Sequence, residues 1–199
     1  MPTFVIPGLI PKKVTIENNF LQYGWKKFKY DDVTDFSFAT VNYTFSYWFI
    51  PVYKSQRYYM KFFSNKKKIN IHFSAKYYIG RRRKEYAFNE LINYIHSAIE
   101  PAILEKIISN TLDKKEGLWI GKIFFNQDGC HKANGKNWDS VFWRGEESLT
   151  PMFFDNKLII WRIKNGERKE FVEIPLDEPK VFLVEGLIKA CKTKYGLGS

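Results

Sequence analysis

Between residues 14 and 73 the chain alternates apolar and polar positions at the period of a half-buried strand. Val14, Ile16 and Phe20 are apolar among polar neighbours, and the turn-forming pair Asn18-Asn19 lies within the stretch. Trp25, Phe28 and Tyr30 stand among lysines, which suits a half-exposed strand over residues 23–30. Asp31-Asp32 breaks the pattern, and it resumes over residues 33–53. There Val41, Tyr43, Phe45 and Tyr47 interleave with Asn42, Thr44 and Ser46, a clear period of two. Residues 58–63 and 69–73 flank Asn65-Lys66-Lys67-Lys68, predicting a hairpin.

The period changes at Arg83. Phe88, Leu91, Ile92, Ile95 and Ile99 recur at helical spacing. Pro101 is awkward inside a helix but comfortable in a first turn. One helix is therefore expected to end near Ile99 and another to start there, carrying Ile103, Leu104, Ile107 and Ile108. Residues 113–117 (Asp-Lys-Lys-Glu-Gly) hold no core-forming side chain and read as a linker. β texture then returns. Strands are expected over 118–125, 138–143, 158–163 and 171–174, with turns at Gln127-Asp128-Gly129, at Gly135 and at Asn165-Gly166. Pro179 opens a final helix with Val181, Phe182, Val184, Leu187, Ile188 and Cys191 on one face, ended by Gly196.

Strands followed by helix thus occur twice, which invites a test for internal repetition. A shift of about 108 residues, found by sliding the chain on itself, sets Ile16 on Phe124, Asn18 on Asn126, Tyr30 on Trp138, Asp31 on Asp139 and Val33 on Val141 without a gap. Asn65 and Asn165 fall in corresponding hairpins, and Glu90-Leu91-Ile92 corresponds to the segment from Glu185 to Ile188. Tyr30 and Trp138 are expected to face the core at strand ends, and Asp31 and Asp139 to cap or turn the segment that follows.

Each half therefore reads as antiparallel strands closed by one amphipathic helix. In the second half an Ile-Phe-Phe strand leads to Gln127-Asp128-Gly129, then to Gly135-Lys136-Asn137-Trp138-Asp139-Ser140-Val141. Asn156-Lys157-Leu158-Ile159-Ile160, the Asn165-Gly166 hairpin, Ile174-Pro175, Pro179 and the helix follow. This succession resembles pleckstrin-homology-like (PH-like) domains, and is similar to bacterial PH-like proteins of uncharacterised function. The first half departs from the pattern by a longer central strand region and an extra helix after Pro101. The resemblance implies a mainly β, α+β chain of two PH-like domains, residues 1–112 and 113–199. Each would be a bent antiparallel sheet or barrel capped by a C-terminal amphipathic helix.

Composition narrows the function classes. The chain is 45% hydrophobic and 18% aromatic, with 12 scattered glycines, so disordered, collagenous and coiled-coil classes are excluded. Two cysteines cannot make a disulfide framework and suit a reducing compartment. No apolar run approaches the ~20 residues of a membrane span. Residues 1–11 hold three prolines and no basic start, unlike a signal peptide. A cytoplasmic protein, peripheral to a membrane at most, is the expectation.

No chemistry-bearing motif emerges. Cys130-His131 pairs a nucleophile with a base, but neighbours on a strand point to opposite faces. Only His72 or His96 could then serve Cys130. Two Cys and three His lack the paired spacings of a zinc site, and neither a phosphate loop nor a nucleophile elbow is present. No enzyme, metal or cofactor is expected.

The charge is more informative. Lys+Arg number 32 against 21 Asp+Glu, a formal +11. Residues 1–112 carry 17 against 8 (+9), and residues 113–199 carry 15 against 13 (+2). In the first half lie Lys26, Lys27 and Lys29, then Lys66, Lys67 and Lys68 at a hairpin tip, then Arg81, Arg82, Arg83 and Lys84 before the helix. Lipid-binding PH domains grip phosphorylated headgroups with basic residues near their first strands. The resemblance loosely implies that role for Lys26, Lys27 and Lys29, without a full headgroup motif. The expected function is a non-enzymatic binding module that attaches to anionic membrane surfaces through these ten residues, with Trp25 or Trp48 dipping into the interface. The alternatives are protein–protein interaction or a homo-oligomeric scaffold along a sheet edge, then nucleic-acid binding. Lysine runs also serve as solvated loops and strand-edge protection.

Overall fold

The computed structural model describes residues 3–6, 12–17, 20–29, 32–47, 50–64, 68–76, 81–154 and 157–196. The chain divides into two compact units, Met1–Ala102 and Ile103–Ser199. The charge divides the same way at this boundary, because Glu105 and Lys106 cancel: 16 basic against 7 acidic residues (+9), then 16 against 14 (+2).

In the first unit β1 (Thr3–Ile6), β2 (Lys12–Glu17), β3 (Phe20–Tyr23) and β4 (Lys26–Lys29) form an antiparallel sheet in chain order. A second antiparallel sheet follows from β5 (Val33–Tyr47), β6 (Ile50–Ser64) and β7 (Lys68–Lys76). The period-two stretch around Val41 thus belongs to one long hairpin, β5–β6, in which Val41 faces Arg57. The expected hairpin over residues 58–73 is β6–β7, and its tip lies outside the described residues. Helix α1 (Arg81–Tyr94) comes next, then a π-helical turn over Ile95–Ile99 and α2 (Glu100–Ile107). The break expected near Ile99 does not occur: the helix runs on through that widened turn, with Tyr94 and Glu100 both in right-handed helical geometry, and Pro101 falls in the first turn of α2. Phe88, Leu91, Ile95 and Ile99 are buried with Val14, Leu21, Phe36, Tyr58 and Phe62. The Phe88 ring sits 5.0 Å from that of Tyr58. Full burial of such side chains stabilises by about 1.5–3 kcal/mol each.

The second unit begins with the end of α2 and a second π-helical turn, Ile108–Leu112. Strands β8 (Leu118–Ile120), β9 (Ile123–Phe125), β10 (Gly129–Asn134) and β11 (Asn137–Phe142) make a four-stranded sheet. Strands β12 (Ser148–Phe153), β13 (Lys157–Lys164) and β14 (Glu167–Pro175) make a three-stranded one, with Asn165-Gly166 turning β13 into β14. A 3-10 turn, Val181–Leu183, leads into α3 (Val184–Cys191). All six residues of the expected apolar face of this helix are buried, and Phe182 stacks on Phe153 of β12 at 5.6 Å.

Among the described residues all four sheets are open antiparallel meanders, not closed barrels. The strand expected over 118–125 is two strands, split by a turn at Gly121-Lys122. Trp138 does not face the core. It is 54% exposed, whereas Val141 is 2% exposed. The two lie three residues apart on β11, so the pleat sends them to opposite faces, and the smaller Val141 holds the inward one. Asp139 does not cap a turn either. It lies within β11 and pairs with Arg162 at 2.7 Å. Tyr30 and Asp31 lie outside the described residues. The ungapped register puts Ile16 and Phe124 on second strands of their units, but it slips later. Val33 opens β5, whereas Val141 lies inside β11.

Candidate anion-binding site

The outward face of the β1–β4 sheet follows from its buried one. Val14 and Leu21 are wholly buried, so alternation sends Lys13, Thr15, Gln22, Lys27 and Lys29 to the other side. Thr15, Gln22 and Lys27 lie opposite one another across three strands, and Phe20 lies opposite Lys29. The Lys27 ammonium rests 4.0 Å from the Phe20 ring centroid, which holds it over this face.

A two-residue turn, Gly24-Trp25, joins β3 to β4. Gly24 has φ +60°, which a residue bearing a Cβ rarely adopts, and its carbonyl accepts a hydrogen bond from Gln22 Nε2 at 3.1 Å. This tight reversal leaves the Trp25 side chain entirely in solvent, with 104% relative exposure. Beside it opens a cavity of about 680 Å³, whose wall includes Lys13, Thr15, Tyr23, Trp25, Lys26 and Asn70.

Of the expected anion-binding residues, Lys26, Lys27 and Lys29 lie on β4 and are exposed. Lys66, Lys67 and Trp48 lie outside the described residues. Lys68 is the first residue of β7 and Arg81 the first of α1. Arg82 and Arg83 are exposed in the first turn of α1, and Lys84 is half-buried. The cavity unites Lys26 with Lys13, which sequence reasoning missed. Its signal was available in the alternation with Val14, which forces Lys13 outward once Val14 is in the core.

Cys130 and His131 do point to opposite faces of β10. Cys130 is wholly buried, and burial pushes its thiol pKa far above the ordinary range. His131 Nδ1 lies 2.8 Å from the Ser140 hydroxyl and Nε2 lies 2.9 Å from Asn126 Oδ1. Because Asn126 Oδ1 only accepts, Nε2 carries the proton and Ser140 donates to Nδ1. That arrangement fits a neutral ring, and partial burial holds its pKa below the usual value. His96 pairs with Glu100 and meets Phe36 and Phe38 edge-on, both at 5.9 Å. Among the described residues no helix is long and apolar enough to cross a membrane.

Compared with protein-family models, curated proteins and solved structures, the chain matches none.

Proposed function

We propose that the first unit is a PH-like module that attaches to anionic membrane surfaces through its β3–β4 hairpin. The architecture supports the PH-like reading: each unit carries a four-stranded meander, a three-stranded meander and then a helix. The observation that carries the membrane reading is the solvated Trp25 at a hairpin tip beside Lys13 and Lys26, with Lys27 and Lys29 on the adjoining outward face. An indole favours the headgroup layer, where its ring is dry and its N–H wet. Each lysine near an anionic leaflet contributes about 1 kcal/mol. The three on the outward face, Lys13, Lys27 and Lys29, give about 3 kcal/mol, over a hundredfold in partitioning, before Lys26 and Trp25 at the hairpin tip add to it.

Co-sedimentation with phosphatidylcholine vesicles, with and without phosphatidylserine, tests this. The parent chain pellets with the anionic vesicles only, and its tryptophan emission shifts to the blue. The shift is lost in Trp25→Phe, and binding is lost in the combined Lys26→Glu, Lys27→Glu, Lys29→Glu variant. These positions are exposed, so circular dichroism of the variants stays that of the parent. A parent that ignores anionic vesicles, or a charge-reversed variant that still pellets, would sink the proposal.

A further inference from the structure

The sheet of the second unit presents a different outward face. Ile120, Ile123, Phe125, Cys130 and Val141 are buried, so alternation turns Trp119, Phe124, His131, Trp138 and Phe142 outward. These five rings form one connected group. Trp119 lies 5.1 Å from Phe124 and 5.8 Å from Trp138, and His131 lies 6.3 Å from Trp138 and 6.0 Å from Phe142. Phe124 is seated over Gly117, where a Cβ would come within 1.7 Å of its ring. Trp119, Trp138 and Phe142 are 53%, 54% and 55% exposed. An exposed cluster of this kind on a sheet marks a contact surface.

Its charge surroundings point to the occupant. No outward-facing position of the ring group carries a carboxylate. Exposed Lys122 and Lys136 lie in the β8–β9 and β10–β11 turns, at the same end of the antiparallel sheet. At the other end Phe142 borders a cavity of about 520 Å³ that also holds Arg144, Gln127 and Asp128. Arg144 Nε donates to the Tyr195 carbonyl, which fixes the guanidinium there. Lys122 and Lys136 thus stand at one end of a run of uncharged rings, and Arg144, with Asp128 beside it, at the other. A polyanion whose units each carry a flat π-face fits that layout, since bases stack on aromatic rings while phosphates meet lysine and arginine. An apolar partner would not need the flanking cations, and an anionic surface alone would not need the rings. We propose that the outward face of the β8–β11 sheet binds single-stranded nucleic acid, with bases stacking on its exposed rings. This surface is separate from the β3–β4 hairpin and does not depend on its role.

Fluorescence anisotropy with an oligodeoxythymidylate of about eight nucleotides, within the usual range of site sizes, tests the idea against an abasic oligomer of equal length. The parent chain binds the base-bearing oligomer more tightly, with quenching of tryptophan emission. Trp119→Ala and Trp138→Ala each weaken that binding by about 5- to 100-fold, and Trp138→Phe keeps part of it. The combined Lys26→Glu, Lys27→Glu, Lys29→Glu variant keeps the preference for bases, which separates this face from the charge of the first unit. Raised salt weakens both oligomers but leaves that preference. Equal affinity for the two oligomers, or unchanged binding in the Trp119→Ala, Trp138→Ala double variant, would overturn the proposal. So would a concentration-dependent dimer of the parent that the double variant loses, if the parent binds no oligomer.

Discussion

Arg162 joins the two sheets of the second unit, so its removal has a cost that the geometry bounds. From β13 its Nη2 donates to the Ser140 carbonyl of β11 at 2.7 Å and lies 2.7 Å from Asp139 Oδ1. Its Nε is 3.1 Å from Glu147 Oε2, and the guanidinium lies 5.2 Å from the Phe171 ring centroid. The side chain is 21% exposed, against 36% for Asp139 and 21% for Glu147. Arg162→Met keeps the packed stem and removes the charge. Losing a charge-assisted bond to a part-buried carbonyl costs about 1.5–3 kcal/mol. The two ion pairs reach water, so after screening each adds about 0.5 kcal/mol. The total is about 2.5–4 kcal/mol, and for a unit of this size it lowers the Tm by about 10–30 °C. Glu147 keeps Lys164 at 2.9 Å, whereas Asp139 is left beside an apolar side chain. Adding Asp139→Asn should therefore restore about 1 kcal/mol. Urea denaturation followed by tryptophan emission measures both. A loss below about 1 kcal/mol, or a double variant no more stable than Arg162→Met, would refute Arg162 as the tie between the sheets.

Two further outcomes follow from a part-buried histidine and two buried cysteines. His131 has a folded pKa below the unfolded value near 6.5, so its contribution to stability is present above about pH 6.5. That contribution is lost as pH falls through 6.5 toward the folded pKa. NMR titration of the ring checks this, and a pKa at or above 6.5 would contradict the Ser140–His131–Asn126 arrangement. Cys130 and Cys191 are both wholly buried, and burial pushes the Cys191 thiol up to about 12. Iodoacetamide at pH 8 should leave both untouched in the native chain and modify both in guanidinium, as mass spectrometry reads directly. Rapid native labelling would mean that α3 opens readily from its sheets.

Elements with a strict period were legible in the sequence, and those that depend on which partner wins the core were not. The face of α3 could be assigned because Val184, Leu187, Ile188 and Cys191 share one side of a short helix, with Val181 and Phe182 buried in the 3-10 turn that leads into it. The hairpin at Asn165-Gly166 was legible because few other dipeptides favour that turn. Trp138 failed for the opposite reason. Residues 138–143 read Trp-Asp-Ser-Val-Phe-Trp, with large apolar side chains at both parities of the pleat. Only the pairing of Val141 with the buried Cys130 decides which parity turns inward. Asp139 was misread because its partner, Arg162, lies on another sheet, and no local signal encodes a contact between sheets. The basic site was half legible. Composition located the charge in the first unit, but the cavity that unites Lys13 with Lys26 is lined from β2, β3, β4 and β7, a juxtaposition that no local pattern encodes.

The two four-stranded sheets show where the units differ. In both, one face is committed to the core: Val14 and Leu21 in the first, and Ile123, Phe125, Cys130 and Val141 in the second. Burial constrains those positions to apolar side chains whatever the unit does. The opposite faces are free of that constraint, and they have taken different chemistry. Lys13, Thr15, Gln22, Lys27 and Lys29 cover one, and Trp119, Phe124, His131, Trp138 and Phe142 cover the other. The +9 against +2 division of charge is the same contrast at the scale of whole units. The aromatic face stabilises its sheet through ring-on-ring packing while about half of its exposed rings stays in water, where full burial would stabilise more. The two proposals rest on this contrast: the rings would suit a ligand with flat faces of its own, and the lysines a surface of negative charge.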